Sequence, residues 1–175
     1  MRRLRTKFSR FGQFTRNGRS ITISGVKPFC PYIQDFRNTY LFGAFSPING
    51  TSLLLEMPCC DTDCFEVFLE ELSKQDADEF KVLFLDNGAF HKATRLVIPD
   101  NIALCFIPPY SPELNPAEKV WAFIKKRMTN IAFDSIKKLQ DFLDQIIRKE
   151  LNAEIIKSIT HTSLYLNEIY RHLIL

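Results

Sequence analysis

The chain has 175 residues, 46% of them hydrophobic and 25% charged, with a formal net charge of +3. That length supports one domain with a substantial core, and the balance is that of a globular protein, not a disordered or fibrous one. No stretch reaches the roughly 18 apolar residues that span a membrane, and the basic N-terminus has no apolar run behind it, so neither a membrane anchor nor a secretory signal is expected.

Residues 1–19 hold seven basic residues (Arg2, Arg3, Arg5, Lys7, Arg10, Arg16 and Arg19) and no acid. Such an arm can neutralise phosphates in a salt-sensitive, sequence-independent way, or it is simply solvated. Asn17-Gly18, between Phe14-Thr15 and Ser20-Ile21-Thr22-Ile23, signals a tight hairpin. Residues 25–38 read as a loop. Thr39 to Phe45 and Ser52 to Met57 read as strands of a second hairpin around Ser46-Pro47-Ile48-Asn49-Gly50. A helix is expected from Asp63, with Glu66 completing a capping box and Phe65, Phe68, Leu69 and Leu72 as its buried stripe.

Lys81 to Leu85 is short, apolar and bounded, the pattern of a strand covered on both faces. A short helix is expected over 91–97 and a strand from Ile102 to Ile107. Pro108, Pro109, Pro112 and Pro116 stiffen the connection that follows. A helix is expected from Pro116 to about Met128. A longer one starts near Asp134, with Ile136, Leu139, Phe142, Leu143, Ile146 and Ile147 inward, breaks near Asn152 and resumes through Ile155, Ile156 and Ile159. The order of strands and helices predicts an α/β layered fold.

The five cysteines, Cys30, Cys59, Cys60, Cys64 and Cys105, are odd in number and show no CxxC spacing. That argues against a disulfide framework or a zinc ribbon and points to a reducing cytoplasm. Cys60 and Cys64 can share a helical face, but with no histidine nearby a metal site on them is not expected.

Two carboxylates stand out. Asp86 ends an apolar strand, where ligand crevices of open α/β sheets lie, although Asp86-Asn87-Gly88 also has the makings of a plain turn. Glu118 lies 32 positions on. With Asn115 as N-cap and Pro116 as the first helical residue, it falls at the capping-box position, on the flank of the stripe Ala117, Val120, Trp121, Ile124 and Met128. Hard cations such as Mg²⁺ take carboxylate oxygens on rigid supports. Asn87 and His91 can support such a site or cap locally. Lys119, Lys125, Lys126 and Arg127 either touch phosphates or form a solvated helix face.

The segments LFLDNGAFHKA around Asp86 and IPPYSPELNPAEKVWAFIKK around Glu118, with RFGQFTRNGRSITISGVKP and LFGAFSPINGT before them, resemble the catalytic domain of DDE transposases. The nearest branch is the bacterial insertion-sequence relatives of the mariner superfamily. The resemblance implies a ribonuclease H-like mixed sheet of five strands flanked by helices. It implies two divalent ions, Mg²⁺ or Mn²⁺, held by Asp, Asp and Glu for in-line displacement at phosphorus on transposon-end DNA. Asp86 and Glu118 match the second and third acids. Asn87 and His91 are the candidate supporting residues, and Arg10, Arg16, Lys119, Lys125 and Lys126 are the candidate DNA contacts.

The chain departs from that pattern at the first acid. Its position, three before Arg10-Phe11-Gly12, is Lys7, and residues 1–6 do not read as a buried strand. The expectation is therefore a first strand that is missing or degenerate and a fragment truncated upstream of its first aspartate. Residues 1–9 would be a non-native start, 10–165 a partial endonuclease-like domain and 166–175 a tail. Such a chain is expected either to be inactive or to serve as a non-catalytic partner of DNA or of a full-length transposase.

Overall fold

A computed structural model describes residues 1–19, 21–29, 31–86, 95–108 and 115–160. Its elements are β1 (Arg2–Gly12), β2 (Asn38–Phe45), β3 (Ser52–Met57), α1 (Thr62–Lys74), β4 (Lys81–Leu85), β5 (Ile102–Phe106), α2 (Ala117–Arg127), α3 (Ile136–Glu150) and α4 (Ala153–Thr160). The strands form one sheet in the order β3-β2-β1-β4-β5. β1 pairs antiparallel with β2 and parallel with β4, β2 pairs antiparallel with β3, and β4 pairs parallel with β5. This is the ribonuclease H-like mixed sheet of five strands that the sequence led us to expect, with one correction.

The first strand is neither missing nor degenerate. β1 is the longest strand and the central one, and it runs through the boundary expected at residue 9. A run as basic as Arg2-Arg3-Leu4-Arg5-Thr6-Lys7 reaches that position because Arg2, Arg5 and Lys7 find partners. Arg2 pairs with Asp76 at 2.7 Å and Glu79 at 2.6 Å. The Arg5 guanidinium lies 4.0 Å from the centre of the Phe84 ring, a cation–π contact in a buried setting. Its apolar residues divide between the faces. Leu4 and Phe8 pack with α1, and Phe11 packs with α2.

Two apolar layers enclose the sheet. On one face Phe65, Phe68, Leu69 and Leu72 of α1 meet Leu4, Phe42 and Leu83. On the other, Val120, Trp121 and Ile124 of α2, Leu139, Leu143 and Ile146 of α3, and Ile156 of α4 meet Phe11, Leu41 and Phe45. The β2–β3 hairpin forms as expected. Gly50 in its turn has φ +75, and an added Cβ would lie 2.1 Å from the Ala153 carbonyl oxygen, so this turn and the start of α4 fit only around glycine.

Local signals misled in two places. Asn17-Gly18 turns no hairpin, because its backbone is engaged elsewhere. Gly18 N–H donates to Asn130 Oδ1 at 2.8 Å, and Asn130 N–H donates to the Arg16 carbonyl at 2.8 Å. The N-cap of α1 is Asp61 rather than Asp63; its Oδ1 accepts from Cys64 N–H at 2.9 Å. Glu66 accordingly closes no capping box and accepts from Val97 N–H at 2.9 Å. The helix expected over 91–97 lies mostly outside the described residues, and residues 95–97 are not helical.

Candidate active site

β1 and β4 run parallel with Arg5 level with Phe84. Two residues further, the same register brings Lys7 level with Asp86, just past the end of β4. On its other side Lys7 is level with Gly43 of β2. A Cβ at Gly43 would lie 2.6 Å from the Phe45 ring and 2.8 Å from the Trp121 ring, so the bare backbone there admits the indole. Trp121 is 1% exposed and meets Phe11 and Phe45 edge-on, at centroid distances of 6.1 and 5.5 Å. That packing seats α2 against the sheet, with Glu118 one turn before the indole.

The start of α2 is tied to β1 directly. Asn115 is 4% exposed. Its Nδ2 donates to the Thr6 carbonyl at 3.1 Å, and its Oδ1 accepts from Ala117 N–H at 3.2 Å. The cap residue proper is Pro116, one position later than expected. Asn115 therefore fixes the helix start beside Lys7, a positioning role that its capping motif alone does not reveal.

The outcome is a cation between two carboxylates. Lys7 Nζ lies 3.1 Å from Asp86 Oδ2 and 2.6 Å from Glu118 Oε1, with the three side chains 22%, 40% and 43% exposed. Burial works to depress the Lys7 ammonium, but its hydrogen bonds to Glu118 and Asp86 outweigh that and hold it above the ordinary lysine value. The structure thus brings together the two acids singled out in the sequence. The third member of the group is the lysine in the position of the missing acid. Asn87 and His91 lie outside the described residues.

Of the basic candidates, Arg10, Arg16 and Lys125 converge. They line a cavity of about 190 Å³ together with Phe11, Gly12, Phe14, Asn38 and Met128. Burial and then the nearby Arg16 lower the Lys125 pKa, and Lys7 and Arg10 act the same way. None of these three cations forms an ion pair with a described residue. Lys119 and Lys126 lie instead on the exposed side of α2. Arg127 is drawn away to Glu150 and sits over the Phe123 ring.

One cluster escaped the sequence reading. Cys64 meets Cys59, not the expected partner Cys60, with the sulfurs 3.0 Å apart and Asp61 beside them. The helix begins at Thr62 and leaves both Cys59 and Cys60 in the preceding loop, so spacing along a helix was the wrong ruler.

The protein belongs with known relatives by sequence and by shape. It is 44% identical over 87 residues to the uncharacterized protein y4pE/y4sA of Sinorhizobium fredii (strain NBRC 101917 / NGR234), a match covering 49% of this chain and 64% of that one. The pre-cleavage Mos1 transpososome superposes with a TM-score of 0.71 at 16% identity, over 98% of this chain and 54% of that one. The mariner Mos1 paired end complex with Mg superposes with a TM-score of 0.66 at 16% identity, over 95% and 53%. The chain spans about half the length of these solved relatives, and at such identity the likeness shows the fold. No helix among the described residues is long and apolar enough to cross a membrane. Residues 8–140 match the sequence profile of the DDE superfamily endonucleases, and the chain belongs to that family.

Proposed function

We propose that this chain is a DDE-type transposase domain that binds DNA but does not cut it, because Lys7 closes the carboxylate site. One observation carries this reading: the Lys7 ammonium bridges Asp86 and Glu118 at 3.1 and 2.6 Å. The family chemistry needs divalent ions held by three acids, and one solved relative was captured with Mg. The residues present here do not fit such ions. A Mg²⁺ ion bound at Asp86 and Glu118 would sit about 2.0–2.1 Å from their oxygens, in the space the ammonium takes, and would meet its repulsion. No step of phosphoryl transfer is assigned to this site.

The DNA-binding half of the proposal rests on the cavity lined by Arg10, Arg16 and Lys125. Three cations around one opening, without an acid among the described lining residues, repel one another until an anion arrives. A backbone phosphate supplies that anion, and Lys119 and Lys126 extend the contact along α2. The partners on this reading are transposon-end DNA and a full-length transposase copy, in the cytoplasm. Asn87 and His91 are proposed as supporting residues of the carboxylate site.

Purified protein incubated with duplex DNA and Mg²⁺ or Mn²⁺ tests both halves. The expected result is salt-dependent DNA binding that survives Asp86→Ala and Glu118→Ala, with no nicking. Metal-dependent nicking that Asp86→Ala abolishes would overturn the non-cutting reading.

A further inference from the structure

Three metal-ligating side chains converge before and within the first turn of α1, apart from the carboxylate pair. Cys59 Sγ lies 3.0 Å from Cys64 Sγ and 3.0 Å from Asp61 Oδ2, and one ligand atom from each residue falls within 4.8 Å of the others. The local fold produces this arrangement. Asp61 caps the helix with Oδ1 on Cys64 N–H at 2.9 Å, which leaves Oδ2 directed at Cys59. Cys64 is held in the first helical turn at 9% exposure, whereas Cys59 comes from the loop and remains partly open to solvent.

Hydrogen bonding to Asp61, and then to Cys64, pushes the Cys59 thiol up to about 12. Burial, with Asp61, Cys64 and Asp86 nearby, pushes Cys60 up to about 11. The Asp61 carboxyl itself is held below its ordinary value, chiefly by the Cys59 thiol and the Cys64 N–H. These shifts disfavour the bare thiolates, and it is the convergence of the three ligand atoms that fits a cation.

We propose that Cys59, Asp61 and Cys64 bind one soft divalent cation of the zinc class, with water in the fourth position. Thiolate ligands select Zn²⁺ or Co²⁺ over Mg²⁺, which takes six oxygens. Tetrahedral coordination at zinc bond lengths places such ligand atoms about 3.6–3.8 Å apart. The two 3.0 Å contacts need open by less than an ångström, and the loop position of Cys59 allows it. Binding replaces two S–H bonds with two metal–sulfur bonds and releases two protons to solvent, while Asp61 enters already ionised.

The test titrates Co²⁺ into the reduced, metal-free full chain. The expected result is one ion per chain, with the near-ultraviolet absorption of thiolate-to-cobalt charge transfer and the visible bands of a tetrahedral ion. About two protons are released per ion, Zn²⁺ displaces the cobalt, and excess Mg²⁺ does not. Cys59→Ser should abolish the charge-transfer band, Asp61→Asn should weaken binding, and Lys137→Ala, on the exposed face of α3, should leave both unchanged. Alkylation provides a second readout on the unaltered chain: Zn²⁺ should protect Cys59 and Cys64 but not Cys105. An octahedral cobalt spectrum without charge transfer, or an unchanged spectrum in a Cys59→Ser, Cys64→Ser double variant, would overturn the proposal. So would unprotected Cys59 and Cys64, or their isolation as a disulfide after reduction.

Discussion

Replacing Lys7 with methionine keeps a side chain of similar length and removes the charge. Asp86 and Glu118 then face each other across a gap no wider than the sum of their 3.1 and 2.6 Å contacts to Nζ. Two unit charges about 5 Å apart repel by about 3 kcal/mol at an effective dielectric constant of 20, and by about 1 kcal/mol in bulk water. The carboxylates are 40% and 43% exposed, so the lower part of that range applies, and Lys7→Met should cost about 1–2 kcal/mol. For a domain of this size that lowers Tm by about 2–8 °C. The pH dependence has a definite sign. The folded-state pKa of Lys7 is raised, so its contribution is fully present below the unfolded value of about 10.4 and is lost as pH rises through the higher folded value. Thermal denaturation followed by circular dichroism from pH 7 to 11 should show a constant gap between wild type and variant up to about pH 10, narrowing above it. Lys126→Met, on the exposed face of α2, serves as the control. A Lys7→Met protein as stable as wild type at pH 7 would refute the reasoning.

Asn115→Ala removes two buried hydrogen bonds, to the Thr6 carbonyl and from Ala117 N–H, and should cost about 1–2 kcal/mol in urea denaturation. Gly43→Ala drives a methyl into the Phe45 and Trp121 rings; a loss of about 1–3 kcal/mol, with an altered tryptophan fluorescence spectrum, is expected. If Arg10, Arg16 and Lys125 hold phosphates, changing any one to alanine should reduce the slope of log K against log salt for duplex DNA by about 0.9. Lys137→Ala, whose ammonium already pairs with Asp141, should leave that slope unchanged.

Much of the fold was legible because β2, β3, β4, α1, α2 and α3 each carry their own periodicity. Asp86 and Glu118 stood out at the ends of such elements, where a plain turn and a helix cap were equally good readings, and only the family pattern paired them as a site. β1 was not legible, since its stability comes from groups remote in the chain. Arg2 meets Asp76 and Glu79, Arg5 meets Phe84, and Lys7 meets Asp86 and Glu118. A window of a dozen residues sees only the unpaired cations and reads a solvated arm. The Asn17-Gly18 turn failed for the same reason, its partner Asn130 lying 112 positions away. Within α1 the error was smaller. Two aspartates compete for the cap, and Asp61 takes it, which moved Cys59 rather than Cys60 against Cys64. Lys7 itself was found only through the family pattern, and its contact with both acids needed the register of β1 on β4.

The central claim is that Lys7 stands where the family holds a metal ion. Electron paramagnetic resonance of Mn²⁺ mixed with wild-type protein and with Lys7→Asp tests it most directly. Because β1 is in place, Lys7→Asp should restore a third carboxylate and bind Mn²⁺, and adding Asp86→Ala should abolish that binding. Wild type should leave Mn²⁺ free in solution at the same concentration. Mn²⁺ binding by wild type that depends on Asp86, or its absence in Lys7→Asp, would contradict the account.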